Sequence, residues 1–337
     1  MTESIALRVS TDCFATRGVF TIARGSRTQA DVITVRLSRS ESGGESSGEA
    51  VGQGECVPYA RYGETMDSVS QQIMVMQPAL AAGLDRLTLQ ELMPPGAARN
   101  ALDCALWDLQ AKASGKPVWE LAGLEAPESV ITAYTLSLDT PENMQAAAQT
   151  HAYRPLLKVK LGGDNDIARL EAVRRGAPES TLIVDANEGW SAKDYDALAP
   201  VMLALGVALV EQPLPANDDG LLAGRDRPLP VCADEACHDR ASLASLTGKY
   251  DVINIKLDKT GGLTEALALR KSAMDSGFQI MVGCMVGSSL AMAPALLVAQ
   301  GVDYVDLDGP LLLSQDRNTP MRYDGSLLHP ASRKLWG

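Results

Sequence analysis

Three acidic residues each end a short apolar run in the middle of the chain: Asp185, Glu211 and Asp234. The runs lie one strand–helix unit apart. In a parallel β/α barrel the carboxyl ends of all strands open onto one face, so the three carboxylates are expected to converge there. Hard oxygen ligands with open positions suit Mg²⁺. Each acid alone could instead cap the helix that follows it, but three in register favour a metal site.

Two further strands carry lysines at the same end. In Leu157-Lys-Val-Lys-Leu161 the two lysines, Lys158 and Lys160, share one face, about 7 Å apart along the strand. A solvated strand edge would explain such a pair in an open sheet. In a barrel that face is the interior or the mouth, where a like charge and a nearby dication disfavour the ammonium form of Lys160 and suit it to act as a general base.

The sixth predicted strand presents Asn254, Lys256 and Asp258 on one face by the same alternation. Four strands separate it from the second, so Lys160 and Lys256 are expected to face each other across the mouth. Opposed amines flanking a metal suit removal of a proton from one face of a carbon and its return to the other. The metal would stabilise the enediolate that forms beside a carboxylate.

The elements that must position these groups alternate regularly from Val130 onward. Helical segments are predicted at 166–175, 191–205 and 263–276. An open doubly wound sheet would normally begin with a glycine-rich turn, which this sequence lacks. The pattern therefore predicts a closed parallel barrel within residues 123–310, with strands at 130–137, 156–161, 181–185, 207–211, 230–234, 251–257, 279–284 and 303–307.

An α+β domain is predicted before the barrel, over residues 1–122. Short alternating runs at its start indicate a strand meander, and the turn-rich stretch 38–54 indicates a hairpin loop. A phosphate cradle would need a strand–turn–helix context, which is absent there. Helical spacing follows, with Val69, Ile73, Met76 and Leu80 in one stripe and a second helix at 98–113. Residues 311–337 are expected to return to this first domain.

Composition excludes several classes of partner. The chain has 337 residues, 46% hydrophobic and 21% charged, as in ordinary globular proteins. Its net charge of −12 argues against nucleic acid or an anionic membrane as partner. Since no apolar run is long enough to span a bilayer, we expect a cytoplasmic protein. The oligomeric state is left open, and a homo-oligomer is compatible with the sequence.

The six cysteines show no paired spacing and are interpreted as small buried residues in a reducing compartment. A zinc site from Cys232, Cys237 and His238 is an alternative. Its spacing matches no common zinc pattern, and Asp234 already has a use among the three acids, so it is not assigned.

These motifs together resemble the enolase superfamily, in its muconate-lactonizing subgroup, and within it the dipeptide epimerases. The motifs are Lys158-x-Lys160, Asp185-x-Asn187, Glu211-Gln-Pro, Asp234-Glu235 and Lys256-Leu-Asp258-Lys-Thr-Gly-Gly. The resemblance covers nearly the whole chain. It implies an α/β fold, a modified (β/α)8 barrel of the (β/α)7β type with an N-terminal α+β capping domain.

The resemblance also implies roles for these residues. Lys160 and Lys256 would be the two acid/base groups, and Lys158 would hold the substrate carboxylate and tune Lys160. One Mg²⁺ would be bound by the three acids of the opening motif. Three residues would orient ligands and lysines: Asn187, Glu235 and Asp258.

The last strand and the first domain would bind the two ends of a dipeptide. Asp306 and Asp308 form an acid pair, which dipeptide epimerases use for the substrate ammonium; a helix cap or another metal ligand is the alternative. Arg24, in the stretch Phe20–Arg27, matches the loop arginine that meets a glutamate side chain, with Arg27 as runner-up. Thr135 and Cys284 are expected to line the pocket. For Arg61 and Tyr62 an exposed loop role and a pocket contact stay open.

The expected function is Mg²⁺-dependent interconversion of L-Ala-L-Glu and L-Ala-D-Glu by two-base proton transfer, which the resemblance connects to murein peptide recycling. Other dipeptides, o-succinylbenzoate synthesis and cycloisomerisation are the alternatives on the same site. A Schiff-base lysine aldolase would not need three aligned carboxylates. A non-catalytic binding barrel would have little reason to keep both lysines and all ligands in register.

Overall fold

The first part of the chain is an antiparallel sheet. The structure is a computed structural model that describes residues 4–39, 50–225 and 227–337. Its first three strands, in sheet order, are β1 (Ile5–Ile22), β2 (Gly25–Arg39) and β3 (Ala50–Cys56). The short strands predicted from the sequence are parts of these longer ones. Arg39 of β2 pairs with Ala50 of β3. Residues 40–49 of the predicted hairpin loop lie outside the described residues, and its last residues belong to β3.

Five helices follow: α1 (Met66–Val75), α2 (Gln77–Ala81), α3 (Arg86–Leu92), α4 (Ala97–Ser114) and α5 (Val118–Leu121). Of these, α1, α2 and α4 pack against the sheet. The predicted stripe at helical spacing is buried in one core. It is divided between α1 and α2, because Pro78 lies in the first turn of a new helix, where its missing N–H costs nothing.

The second part is the barrel, preceded by β4 (Val130–Ile131), which belongs to a separate small sheet. Eight strands in chain order form one parallel sheet: β5 (Tyr134–Leu136), β6 (Leu156–Lys160), β7 (Thr181–Asp185), β8 (Val207–Glu211), β9 (Val231–Ala233), β10 (Val252–Ile255), β11 (Gln279–Gly283) and β12 (Tyr304–Asp306). The predicted barrel is therefore confirmed, although its predicted first strand is split into β4 and β5.

The barrel is nearly closed between its first and last strands. Ala133 N donates to Val305 O at 2.8 Å, and Leu307 N donates to Thr132 Oγ1 at 2.8 Å. Below the mouth the interior is filled by a small apolar cluster that forms the floor of the site, made of Ala133, Ile183, Leu209, Cys232, Val252 and Met281.

Helices surround the barrel: α6 (Pro141–Thr150), α7 (Asp166–Gly176), α8 (Ala192–Ala204), α9 (Leu243–Leu246), α10 (Leu257–Thr260), α11 (Leu263–Asp275), α12 (Ser289–Val298) and α13 (Gly309–Leu312). The helices predicted from spacing correspond to α7, α8 and α11. Between β8 and β9 the described residues contain a single 3₁₀ turn, Gly220–Leu222, instead of an α-helix. Among the described residues, none of the helices has the length and apolarity to cross a bilayer.

The last residues contact both parts of the molecule. Ser314 N donates to Ala15 O at 2.8 Å, and Trp336 Nε1 donates to Cys104 O at 3.0 Å. The strands β13 (Tyr323–Asp324) and β14 (Leu327–Leu328) form the small sheet with β4.

A close approach of two backbones joins the sheet to its central helix. A Cβ at Gly54 of β3 would lie 2.1 Å from the carbonyl oxygen of Ala101 in α4. We therefore expect Gly54→Ala to lower the free energy of unfolding by about 1–3 kcal/mol, the usual cost of overpacking. Urea unfolding measures this. Gly18→Ala, where nothing lies within 4 Å, is the control, and equal midpoints for the two variants would contradict the packing argument.

Candidate active site

The three predicted ligands meet at the mouth of the barrel. Asp185 ends β7, Glu211 ends β8 and Asp234 follows β9, and one oxygen from each lies within 4.8 Å of the others. All three are buried. Glu211 Oε2 has the Lys158 ammonium, 2.6 Å away, as its partner. Three hard carboxylate oxygens this close together fit a small divalent cation such as Mg²⁺.

Neighbouring groups hold these carboxylates in place and set their charge. Asn254 Nδ2 donates to Glu211 Oε1 at 2.7 Å, and Gly283 leaves the space, since a Cβ there would lie 2.6 Å from Asn254 Oδ1. Burial and then the Asp185 carboxylate raise the pKa of Glu211 to about 7. Burial would also raise the pKa of Asp185, but the nearby lysine ammonium groups lower it below its usual range.

Lys158 lies at the centre of the site. Its Nζ is 2.6 Å from Glu211 Oε2, 2.7 Å from Asp306 Oδ2 and 3.2 Å from Asp185 Oδ2. Burial alone would lower the pKa of Lys158, but Asp306, Glu211 and Asp185 raise it well above its ordinary value. Lys158 thus connects the metal-ligand cluster to the last strand.

The other two predicted lysines lie on opposite sides of the ligand cluster. Lys160 Nζ, on β6, donates to Asp185 Oδ2 at 2.5 Å, and Lys256 Nζ, after β10, donates to Asp234 Oδ2 at 2.6 Å. Sequence reasoning missed a fourth lysine, Lys259. Its fully buried Nζ lies 2.6 Å from Asp234 Oδ1. Its position three residues after Lys256 in the quoted motif was the available signal.

Two of the three predicted orienting residues contact the site. Asn187 N donates to Asp185 Oδ1 at 2.9 Å, and Asn187 Nδ2 donates to Glu235 Oε1 at 3.3 Å. Asp258 does not. β10 ends at Ile255, so the predicted alternation stops before Asp258, which lies in α10.

Asp258 faces the first domain instead. It accepts hydrogen bonds from Val57 N at 3.0 Å and Asn100 Nδ2 at 2.9 Å. Burial raises its pKa to about 7. Its place in the structure is at the contact between the sheet domain and the barrel.

Glu188 is the main contact that sequence reasoning missed. Its backbone is left-handed, with φ of 66°. The carboxylate accepts two hydrogen bonds from Arg61, at 2.7 and 2.8 Å, and one from Ala216 N at 2.8 Å. Glu188 thereby ties a loop of the first domain to two loops of the barrel.

Arg24, at the tip of the β1–β2 hairpin, reaches the same region. Its Nη1 donates to Asn187 O at 2.7 Å and Glu188 Oε2 at 3.2 Å. Its Nη2 donates to Tyr59 OH at 2.9 Å and Glu235 Oε1 at 2.6 Å. All four Nη hydrogens of Arg24 are therefore used within the protein, leaving Nε–H as its remaining donor.

Arg27 differs from Arg24. Its guanidinium carbon is 6.0 Å from the centre of the Tyr59 ring, and it forms no hydrogen bond or ion pair with the described residues. Both arginines line the cavity at the barrel mouth. Of the two, Arg27 has its donors available.

The acid pair of the last strand lies on the opposite side of this cavity. Asp306 ends β12, and its Oδ1 has no hydrogen-bond partner among the described residues. Asp308 lies beyond the strand, where its Oδ2 accepts a hydrogen bond from Thr135 N at 2.6 Å. Burial and then Asp306 raise the pKa of Asp308 to about 7.

The cavity has a volume of about 60 Å³. Thr135 and Cys284 line it, as predicted, and so does Tyr62. The Tyr62 ring packs edge-on against His238, with ring centres 4.7 Å apart. Within the described part of the chain, the one cluster with three potential ligand groups close enough for a metal is that of Asp185, Glu211 and Asp234. The alternative set of Cys232, Cys237 and His238 forms no such cluster there.

Comparison with known families agrees with this geometry. The barrel with its three acids belongs to the enolase class of β/α barrels, because the family described as "Enolase C-terminal domain-like" matches residues 140–318. The "Mandelate racemase / muconate lactonizing enzyme, N-terminal domain" family matches residues 4–123. The chain therefore belongs to the mandelate racemase and muconate lactonizing enzyme family of the enolase superfamily.

Individual relatives are similar over most of the chain. The L-Ala-D/L-Glu epimerase of Escherichia coli (strain K12) is 48% identical over 312 residues, covering 92% of this chain and 95% of that protein. The N-acetyl-D-glutamate racemase of a Pseudoalteromonas species is also 48% identical, over 86% of this chain and 92% of that protein. Because its relatives are epimerases and racemases, the chain is an enzyme of the isomerase class.

Solved structures of relatives hold ligands. An enolase family member from Agrobacterium tumefaciens with bound sodium and L-Ala-L-Glu has a TM-score of 0.94 and 51% identity, covering 99% of this chain and 100% of that one. A dipeptide epimerase from Enterococcus faecalis V583 with Mg and L-Leu-L-Tyr has a TM-score of 0.87 and 28% identity, covering 98% of each chain.

A metal that binds the acid triad must stabilise the folded protein. Mg²⁺ at 100 times its dissociation constant should raise the free energy of unfolding by about 2.7 kcal/mol. Asp185→Asn should abolish most of this gain, because one ligand charge is lost. Glu265→Gln, a buried acid paired with Arg240 outside the site, should retain it. An equal Mg²⁺-induced shift in the two variants, measured by thermal unfolding, would place the ion elsewhere.

Proposed function

We propose that this enzyme is a Mg²⁺-dependent dipeptide epimerase that interconverts L-Ala-L-Glu and L-Ala-D-Glu. The observation that carries the proposal is the presence of two pairs of opposed functional groups at the barrel mouth. Lys160 on the second strand opposes Lys256 at the sixth. Asp306 on the eighth strand opposes Arg24, which is bonded to loops after the third and fifth strands and so lies over the fourth.

The two opposed pairs match the positions of the reacting and charged groups of a dipeptide. A dipeptide laid from the eighth strand toward the fourth would place its ammonium near Asp306 and Asp308 and its second side chain near Arg24 and Arg27. The α-carbon of the second residue would then lie between the two lysines. The structure of the Agrobacterium tumefaciens relative with L-Ala-L-Glu supports a dipeptide ligand for a chain 51% identical to it.

The chain's own residues would carry the proton transfer. One of Lys160 and Lys256 takes the α-proton from one face as a neutral amine, and the other, as an ammonium, returns a proton to the opposite face. Lys158 holds the substrate carboxylate. Asp185, Glu211 and Asp234 would bind Mg²⁺, whose charge favours the enediolate when the proton leaves.

An acceptor oxygen at the Asp306 end of the cavity supports a cationic substrate end there. Asp306 Oδ1 is buried and has no hydrogen-bond partner among the described residues. An unpaired buried acceptor is costly, and an ammonium with three donors would satisfy it. This favours a dipeptide with a free amino group over a substrate whose nitrogen is acylated.

N-acylglutamate racemisation is the second candidate function, favoured by the equal identity to the Pseudoalteromonas racemase. It would use the same lysines and metal ligands but would leave the acid pair without a cation. Other dipeptides remain an alternative, whereas o-succinylbenzoate synthesis and cycloisomerisation give the acid pair no role. We further propose that the enzyme acts in the cytoplasm on peptides released from murein, because its proposed product pair contains D-glutamate.

Proton NMR in D₂O tests the epimerase proposal. With L-Ala-L-Glu and Mg²⁺, the α-proton signal of glutamate should disappear while the L-Ala-D-Glu diastereomer appears. Lys160→Met and Lys256→Met should each lose at least about 10³-fold in epimerisation, within the usual range for an acid/base group. Each should retain α-proton exchange for one of the two diastereomers. Loss of exchange from both diastereomers in both variants would contradict the assignment of one lysine to each face.

Selectivity for an acidic second residue tests the two arginines. The sequence favours Arg24, but the Nη hydrogens of Arg24 are bonded to the protein. We therefore expect Arg27 to supply the positive charge that pairs with the side-chain carboxylate of the substrate. Arg27→Gln should raise KM for L-Ala-L-Glu at least about tenfold and leave KM for L-Ala-L-Met unchanged. Arg24→Gln should raise both, because Tyr59 and Glu235 lose a partner. A selective effect in Arg24→Gln alone would return the role to Arg24.

A further inference from the structure

A buried ion pair at the cavity joins Lys158 to Asp306. Their Nζ and Oδ2 atoms are 2.7 Å apart, and the residues are 1% and 4% exposed. The other carboxylates that contact Lys158 within the described structure are Asp185 and Glu211, both ligands of the proposed metal. Asp306 is therefore the partner that remains for Lys158 when those two carboxylates bind an ion.

The cavity must widen when a dipeptide binds. A volume of about 60 Å³ has room for a few water molecules, and a dipeptide is larger. Lys158 and Asp306 both line the cavity. Because the proposed function places the substrate carboxylate on Lys158 and the substrate ammonium near Asp306, binding changes the contacts of both residues.

We propose that Lys158 and Asp306 form an internal ion pair whose two members change partners when the substrate binds. The substrate carboxylate replaces Asp306 on Lys158, and the substrate ammonium replaces Lys158 on Asp306. This inference rests on the proposed function and extends it to a mechanism of selection for zwitterionic substrates.

Charge balance explains the selection. When a zwitterion binds, Lys158 exchanges one carboxylate partner for another, and Asp306 exchanges one ammonium partner for another. A ligand that has a carboxylate but no ammonium, such as N-acetyl-L-glutamate, takes Lys158 and leaves Asp306 buried and unpaired. An uncompensated buried charge is strongly unfavourable, so the ion pair disfavours N-acylated ligands.

Asp308 provides a matched control on the same side of the cavity. It has the same charge and lies two residues from Asp306, and it also lines the cavity. Its carboxylate accepts a hydrogen bond from Thr135 N and forms no hydrogen bond or ion pair with Lys158. Replacing Asp308 removes an acid from the ammonium site without releasing Lys158.

Isothermal titration at saturating Mg²⁺ tests the exchange. The ligands are the equilibrated epimers of Ala-Glu and N-acetyl-L-glutamate, and the proteins are the wild type, Asp306→Asn and Asp308→Asn. At about pH 7.5 a dipeptide ammonium is still largely protonated, and Asp308, with its pKa of about 7, is largely ionised.

Asp306→Asn should bind the dipeptide at least about 30-fold more weakly and N-acetyl-L-glutamate at least about tenfold more tightly than the wild type. Asp308→Asn should weaken dipeptide binding without strengthening N-acetyl-L-glutamate binding. If the two variants treat N-acetyl-L-glutamate alike, the exchange is wrong while the epimerase proposal stands. A wild type that binds no dipeptide overturns both.

Lys158→Met removes the other member of the ion pair. It provides a second test if Asp306→Asn does not fold. Asp306 then lacks its cation, so L-alaninamide, which has an ammonium but no carboxylate, should bind at least about tenfold more tightly than to the wild type. N-acetyl-L-glutamate should bind more weakly. An unchanged affinity for L-alaninamide would contradict the exchange.

Discussion

The structure depends on the pairing of charges that are buried at the barrel mouth. Four lysines there have little exposure to water, and each contacts a carboxylate that lies on a strand or loop other than its own. A buried charge is tolerated when it is paired and hydrogen-bonded. Since partners come from different strands, the pairing also constrains how the carboxyl ends of the strands are arranged. The same groups that would perform the chemistry therefore stabilise the mouth of the barrel.

Most of the barrel site could be predicted because it follows from a local rule. Side chains alternate along a strand, and parallel strands of a barrel end on one face, so Asp185, Glu211 and Lys160 could be located from short segments. Asp258 was misplaced because the rule holds only while the strand continues, and β10 ends at Ile255. Glu188 could not be predicted at all: its position depends on a left-handed backbone and on Arg61, which is 127 residues away in sequence.

The first domain shows the same limit on a larger scale. Its alternating runs predicted strands, but their length was underestimated, since β1 contains 18 residues and β2 contains 15. These long strands form a hairpin that carries Arg24 to the barrel mouth. Whether an arginine on such a hairpin is committed to the protein or available to a ligand depends on contacts with Asn187, Glu188, Tyr59 and Glu235, which no local pattern contains.

The separation of these groups along the chain has an evolutionary consequence. The lysines and acids proposed to act on the α-carbon of the substrate lie between residues 158 and 259, whereas the groups proposed to bind its two ends lie on the β1–β2 hairpin and at or just after the end of β12. Substitutions in those two outlying segments can alter which substrate is accepted while the proposed acid–base groups keep their positions. A change of substrate can therefore begin in these two terminal parts of the chain, without substitution of the residues in the middle.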